Sequence, residues 1–255
     1  MAHLEAGHEF LARLGKTKLR PGGSEATDWL IQKAKLSTTS KVLEVACNMG
    51  TTLIQLVNKF GCQAEGIDLS EDAIKKAQEN IAQAGLTEKI KVAVGNALAL
   101  PFADNSFDVI INEAMLTMLS VPQKEQALAE YQRVLKPDGL LLTQDVYLKI
   151  AEIAAQQKLR DDLSRAIRHN AVPLTLADWR NLLEENNFSV EQKAGEMSLL
   201  NPVGMIKDEG ATRTLEIMRN ALKKENREQF FRMFDFFSDN NDKIGYVAQV
   251  SRKIA

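Results

Sequence analysis

Apolar positions along this chain alternate between two spacings. Val42, Leu43, Val45 and Ala46 form a short, nearly continuous apolar run with one carboxylate, Glu44, inside it. Such a run suits a strand covered on both faces. It ends in small, turn-tolerant residues, Ala46, Asn48 and Gly50, with Cys47 among them. Thr51, Thr52, Leu53, Ile54, Leu56 and Val57 then follow at helical spacing. Strand, tight turn and helix are the entry to a nucleotide-binding βαβ unit. The backbone passes close to a ligand there, and helix N-terminal N–H groups point into the same crevice.

The alternation continues. Strands are expected at 63–69, 90–94, 107–112 and 140–147. Helices are expected at 71–84, with Ser70 as N-cap and Gly85 as stop, and at 122–136. Strands and helices in this rhythm imply parallel pairing through right-handed crossovers. Ahead of them, residues 1–19 read as an amphipathic helix carrying Leu4, Phe10, Leu11 and Leu14. Arg20-Pro-Gly-Gly23 is a turn signal, and a second helix opens with Ser24 as its cap. Beyond Tyr147 the rhythm changes. A polar helix covers 148–169, Thr175 caps a helix reaching Asn186, and 189–197 and 244–252 read as strands. Between those two strands a helical pair is expected. Leu215, Met218 and Leu222 share one face of it; Phe230, Met233, Phe234 and Phe237 share another. This pair reads as a cap over the ligand crevice, with core packing or a homodimer contact as the plain alternatives.

The chain has 255 residues, 45% of them hydrophobic and 26% charged, enough for one domain with a sizeable addition. A formal net charge of −2 argues against nucleic acid as a partner. No apolar run approaches the roughly 20 residues of a membrane helix, and no secretory signal opens the chain. Cys47 and Cys62 sit in or beside buried strands and read as reduced core thiols, which makes the cytoplasm the expected location. His3, His8 and His169 show no metal-ligand spacing, so no metal is expected.

The strand ends also line up with a known family. Residues 42–50, Ile67-Asp-Leu-Ser70, Gly95-Asn-Ala97, residues 107–112 and Arg133-Val-Leu-Lys-Pro-Asp-Gly139 resemble, in order and spacing, the class I S-adenosylmethionine-dependent methyltransferases of small-molecule type. The resemblance implies an α/β, Rossmann-like three-layer sandwich. Its seven-stranded sheet would be mostly parallel with an antiparallel last strand. It also implies one methyltransferase domain, with an N-terminal helical lid over 1–35, a cofactor-binding core over 36–148, and a substrate-side half over 149–255 capped by 200–240.

Residue by residue, the resemblance places Glu44 at the methionine amino end of the cofactor. Ala46, Cys47, Asn48 and Gly50 form the turn beneath it. Asp68 would take both ribose hydroxyls, since a carboxylate has two oxygens to accept them. Leu69 would pack on the adenine face, Asn96 would meet the adenine amine, and Ala97 would lie beside the ring. Asn112 and Glu113 would lie under the sulfonium, and Arg20, Gly22 and Gly23 would form a lid turn near the carboxylate. Two departures stand out: Ala46 and Asn48 replace the usual glycines, and Asn96 replaces a frequent aspartate. The reaction implied is methyl transfer to a small-molecule acceptor by in-line displacement, in which the protein chiefly aligns the groups and excludes water. It needs no catalytic triad, and a general base only where the nucleophile holds its proton. Glu113, Tyr147 and His169 are candidates between which the sequence does not choose. The competing readings are a non-catalytic sensor of the same cofactor and, less well supported, a nicotinamide-dependent oxidoreductase. The latter lacks a complete G-x-G-x-x-G and a Tyr-x-x-x-Lys pair.

Overall fold

The computed structural model describes residues 5–254. Leu4, expected in the first helix, and His3 lie outside the described residues. The chain order is α1 (Gly7–Arg13), α2 (Gly23–Ala34), β1 (Lys41–Val45), α3 (Thr51–Phe60), β2 (Gln63–Asp68), α4 (Glu71–Gln83), β3 (Ile90–Val94) and β4 (Phe107–Glu113). It continues with α5 (Val121–Val134), β5 (Leu135–Leu148), α6 (Ile153–Ile167), β6 (Leu174–Thr175), α7 (Leu176–Glu185), β7 (Phe188–Gly195), α8 (Pro202–Glu209), α9 (Ala211–Ala221), α10 (Lys224–Asp239) and β8 (Ile244–Lys253).

The sheet runs β3-β2-β1-β4-β5-β8-β7, with the short β6 added beside β5. Strands β1 to β5 pair in parallel, and β8 is antiparallel to both neighbours. This is the expected Rossmann-like, mostly parallel sheet with its reversed last strand, with eight strands rather than seven because Leu174–Thr175 pairs with the end of β5. The buried runs of β1, β4 and β5 explain why these strands are central: both faces are covered. One core layer joins the sheet to α2, α3 and α4; a second, centred on Phe107, Tyr131, Trp179 and Phe188, joins it to α5 and α7.

Within β5, Lys136–Gly139 form a bulge. Phe107 pairs with Leu135 and Val109 with Leu140, so β5 carries extra residues there, with Asp138 at φ 60°. Just before it, Arg133 donates to the carbonyls of Leu100 and Phe102 and pairs with Asp104 and Glu130. This one side chain holds the 98–105 loop beside the strand ends.

Several expectations are corrected. Ser24 is not a cap: Gly22 occupies the N-cap position of α2, while the Ser24 N–H and hydroxyl both donate to Asp208, at 2.7 and 2.8 Å. The polar helix starts at Ile153 rather than 148, because β5 runs on to Leu148 in register with β8. Three helices, not two, separate β7 from β8, since Gly210 breaks the run at φ 79°. Leu215 and Leu222 are exposed, and the buried face of α9 is Thr214, Ile217 and Ala221. Phe230 and Met233 are buried, with Phe234 and Phe237 packed beside them, in a separate core that α1, α6 and α8–α10 build together.

Candidate functional site

The site is built at the carboxyl ends of β1, β2, β3 and β4. After β1 the chain takes three positive φ values in five residues: 60° at Ala46, 45° at Asn48 and 72° at Gly50. The left-handed conformation that the sequence departures put in question is therefore adopted without the glycines. Asn tolerates it well, and Ala at a cost of about 1–2 kcal/mol. Neighbouring groups hold it: the Cys47 N–H donates to the Ile67 carbonyl at 2.9 Å, and the Asn48 N–H to Asp68 Oδ2 at 2.9 Å. Gly66 in β2 lets the turn close in, since a Cβ there would stand 2.6 Å from Leu53 Cδ1 and 2.9 Å from Cys47 Sγ. Burial pushes the Cys47 thiol well up, so it is a packing group and no nucleophile.

Asp68 ends β2. Its Oδ1 accepts the Ser70 N–H at 2.9 Å, so each carboxylate oxygen already holds one backbone donor and keeps further acceptor capacity. Leu69 beside it is 72% exposed. Asn96 is exposed; its Oδ1 accepts the Leu98 N–H at 2.9 Å. Ala97 packs against the second core layer. Gly95 reaches back to β2, its N–H donating to the Asp68 carbonyl.

Below the turn lies a buried polar network. Arg20 donates to the hydroxyls of Thr27 and Thr52, at 2.6 and 2.7 Å, and pairs with Glu113 at 3.1 Å. Glu113 Oε1 accepts from Thr27 Oγ1 at 2.6 Å and Gln144 Nε2 at 2.8 Å. Gln144 Oε1 accepts the Gly22 N–H at 2.6 Å, so this lid-turn donor is already engaged. Gly23 lies so near Asp208 that a Cβ would stand 2.6 Å from its carboxylate. Thr27, Thr52 and Gln144 were not singled out in the sequence. Ordinary polar residues up to 117 positions apart give no local signal of meeting.

Glu44 Oε2, Asn112 Oδ1 and Glu113 Oε2 are buried here without a hydrogen bond; Glu113 Oε2 has the Arg20 ion pair, and Asn112 Nδ2 reaches the Val45 carbonyl at 3.3 Å. Burial pushes the Glu44 carboxyl up to about 8, against the opposing pull of Arg20 and the Thr52 hydroxyl. Glu44 pairs in register with Ile111 and Asn112 with Val45, so the two side chains leave opposite faces of the sheet. An unpaired buried acceptor is costly, and Glu44 Oε2 is matched by a ligand group that brings a positive charge and donors. The methionine ammonium of S-adenosylmethionine is such a group, so the residues present fit that cofactor. Beside the turn a cavity of about 500 Å³ opens between Met49, Thr51, Gln55 and Asn80 on one side and Thr17 and Asp208 on the other.

Residues 36–187 match the family described as a methyltransferase domain. The chain belongs to this methyltransferase family. It is 55% identical over 254 residues to an uncharacterized protein of Haemophilus influenzae, covering 99% of this chain and 100% of that one. It is 30% identical over 178 residues to the methyltransferase GfsG of Streptomyces halstedii, covering 69% of this chain and 60% of that one. Among solved structures, the MccD protein superposes with a TM-score of 0.71 at 23% identity, covering 91% of this chain and 100% of that one; this likeness speaks to fold alone. The methyltransferase is thus an S-adenosylmethionine-dependent enzyme of the class I fold, as the strand-end motifs imply. Among the described residues no helix is long and apolar enough to cross a membrane, and no three metal-ligating side chains cluster.

Proposed function

We propose that this methyltransferase acts on a small-molecule acceptor, and that the strand-end residues hold the methyl donor. Glu44 takes the ammonium, Asn112 lies under the sulfonium, Asp68 takes the ribose diol, Leu69 packs on the adenine face with Ala97 beside the ring, and Asn96 takes the adenine amine. Glu113 reaches the donor through Arg20, Thr27 and Gln144 rather than freely. The bound sulfonium methyl supplies the electrophile. The chain's own work is to orient it, to exclude water and to present an acceptor in line.

The observation that carries this reading is the unpartnered buried acceptor Glu44 Oε2, beside a turn whose three left-handed residues bring backbone close to a ligand. The helices α1 and α8–α10 act as the lid and cap of the acceptor space. Their own buried core, and the two adjacent carboxylates Asp208 and Glu209 that fasten α8 to residues 17–24, support that role. A net charge of −2 favours a small acceptor over nucleic acid. Two free, buried thiols fit a reducing cytoplasm. The test is tritiated methyl transfer from S-adenosylmethionine to a metabolite extract. Label in a small molecule supports the reading; label confined to protein or nucleic acid overturns the acceptor class.

A further inference from the structure

The guanidinium of Arg232 on α10 is left without partners. Its Nε and Nη2 are buried and make no hydrogen bond. Charged donors held away from water and unpaired are costly, and Arg232 has alternatives close by. Glu228 stands four residues before it on the same helix and Asp235 three after, the spacings at which helical ion pairs form. Both acids are exposed, and the guanidinium pairs with neither. It lies instead on the side where α10 packs against α6.

The neighbour there is another cation. Arg168 closes α6 in the left-handed conformation, at φ 53°, and its Nη1 donates to Gln229 Oε1 at 3.5 Å, the limit of a hydrogen bond. Gln229 is one helical turn before Arg232, so the two arginines occupy adjoining positions across the contact between α6 and α10. The other end of Gln229 is fixed, its Nε2 donating to the Glu5 carbonyl at 2.9 Å. The helix α1 docks at the same place, where His8 meets the ring of His169 edge to face with centroids 5.9 Å apart.

No counter-charge is at hand. The carboxylates of the last two turns of α6 are already engaged: Asp162 pairs with Arg165, and Asp161 accepts from Gln157 at 2.8 Å. Among the described residues no carboxylate lies within ion-pair distance of Arg168 or Arg232. Burial lowers the Arg232 pKa and the charge of Arg168 lowers it further, with Glu228 opposing. Both arginines are half-buried rather than sealed, so an ion from solvent reaches them. Two like charges that lack acceptors and a counter-ion are matched by a ligand that brings both. The planar fork of a guanidinium fits the paired oxygens of a carboxylate or a phosphate.

We infer that Arg168 and Arg232 form a site for a small oxyanion, a carboxylate or phosphate group, that ties the end of α6 to α10. The site shares no residue with the strand ends assigned to the methyl donor. The segment that follows Arg168 is fastened to the loop after β4: the Val172 N–H donates to the Thr117 carbonyl at 2.7 Å, and Asn170 Nδ2 to the Met118 carbonyl at 3.4 Å. An oxyanion carried by the methyl acceptor arrives from that side, and a free phosphate ion arrives from solvent. The first of these sources rests on the methyltransferase reading; the site itself does not.

The test uses the full chain, with inorganic phosphate as probe and sodium chloride of equal ionic strength as control. Phosphate should raise the melting temperature of the parent saturably and beyond the effect of chloride. By calorimetry, Arg232→Met and Arg168→Met should each bind phosphate at least tenfold more weakly, the scale of hydrogen bonds to an ion, with S-adenosylhomocysteine affinity within twofold of the parent. In chloride alone, Arg232→Met should melt no lower than the parent, because it removes buried donors that have no partner. The inference is overturned if phosphate stabilises the parent no more than chloride does, if both variants bind phosphate as the parent does, or if Arg232→Met melts lower in chloride alone. Tritiated methyl transfer to acidic acceptors and to their neutral amides then reads the source. An oxyanion on the acceptor predicts that Arg232→Met raises KM for the acid at least tenfold with kcat retained; a free ion predicts an unchanged KM, and either result upholds the site. Absence of S-adenosylhomocysteine binding would overturn the donor site and leave the phosphate result standing.

Discussion

Asp68 Oδ2 accepts the N–H of Asn48 at 2.9 Å, tying the end of β2 to the turn after β1. The same carboxylate takes the Ser70 N–H, so it organises the turn and the start of α4 before any ligand arrives. Asp68→Ala is expected to cost about 1–2 kcal/mol of stability by urea denaturation, the scale of two part-exposed hydrogen bonds. An unchanged midpoint would show that the turn stands without its clamp.

Ala46 sits at φ 60°. Ala46→Gly relieves the strain but loosens the unfolded chain, so its stability should stay within about 1 kcal/mol of the parent. Ala46→Val puts a β-branched side chain where φ is positive and should cost about 1–3 kcal/mol. Paired denaturation curves decide it: equal stability for Gly and Val would contradict the left-handed turn.

Glu44 gives a pH signature. Its folded pKa, raised to about 8 mainly by burial, lies above that of the unfolded chain. The folded state keeps the proton that the unfolded state releases, so the contribution is complete at low pH and falls as pH rises towards 8. Glu44→Gln removes this loss. The melting temperature of the variant relative to the parent should therefore climb from pH 5 to pH 8. A constant difference would place the carboxylate in contact with water or a strong partner.

Lys16 and Glu209 are both buried, with Nζ and Oε1 3.7 Å apart, and Glu209 also accepts from the Thr17 N–H, the Thr17 hydroxyl and the Lys18 N–H. Glu209→Ala removes those acceptors and strands the lysine, at a cost of about 3–5 kcal/mol. Lys16→Met keeps the acceptors and removes the buried cation, whose amine makes no hydrogen bond, so it should be far milder. Equal losses from the two variants, measured by thermal melting, would contradict this ordering.

The sheet was legible because it is written locally. Val42, Leu43, Ile110, Ile111, Leu141 and Leu142 make short apolar runs that only a doubly covered strand explains, and Ser70 and Thr175 cap their helices as expected. The turn was legible in outline: Asn48 and Gly50 accept positive φ, and Ala46 follows because the strands on either side impose it. The Arg20–Thr27–Glu113–Gln144 network was not legible, because it assembles common polar residues from three distant stretches: 20–27, the end of β4 and β5. Nor was the late region. Leu215 and Leu222 fit a helical face, but a face is apolar by pattern and buried only if something packs on it, which Ile217 and Ala221 achieve instead. His8 and His169 looked scattered for the same reason, since only the docking of α1 on α6 makes them a pair.

The central claim is that one methyl donor binds at the ends of β1, β2 and β4. Calorimetric titration of S-adenosylmethionine into the wild type and Asp68→Ala, with Arg180→Met on α7, whose partners are Glu184 and the Val190 carbonyl, as a remote control, tests it directly. The account predicts one site per chain, at least tenfold weaker in Asp68→Ala and unchanged in Arg180→Met. No binding by the wild type, or equal affinity in wild type and Asp68→Ala, would contradict it.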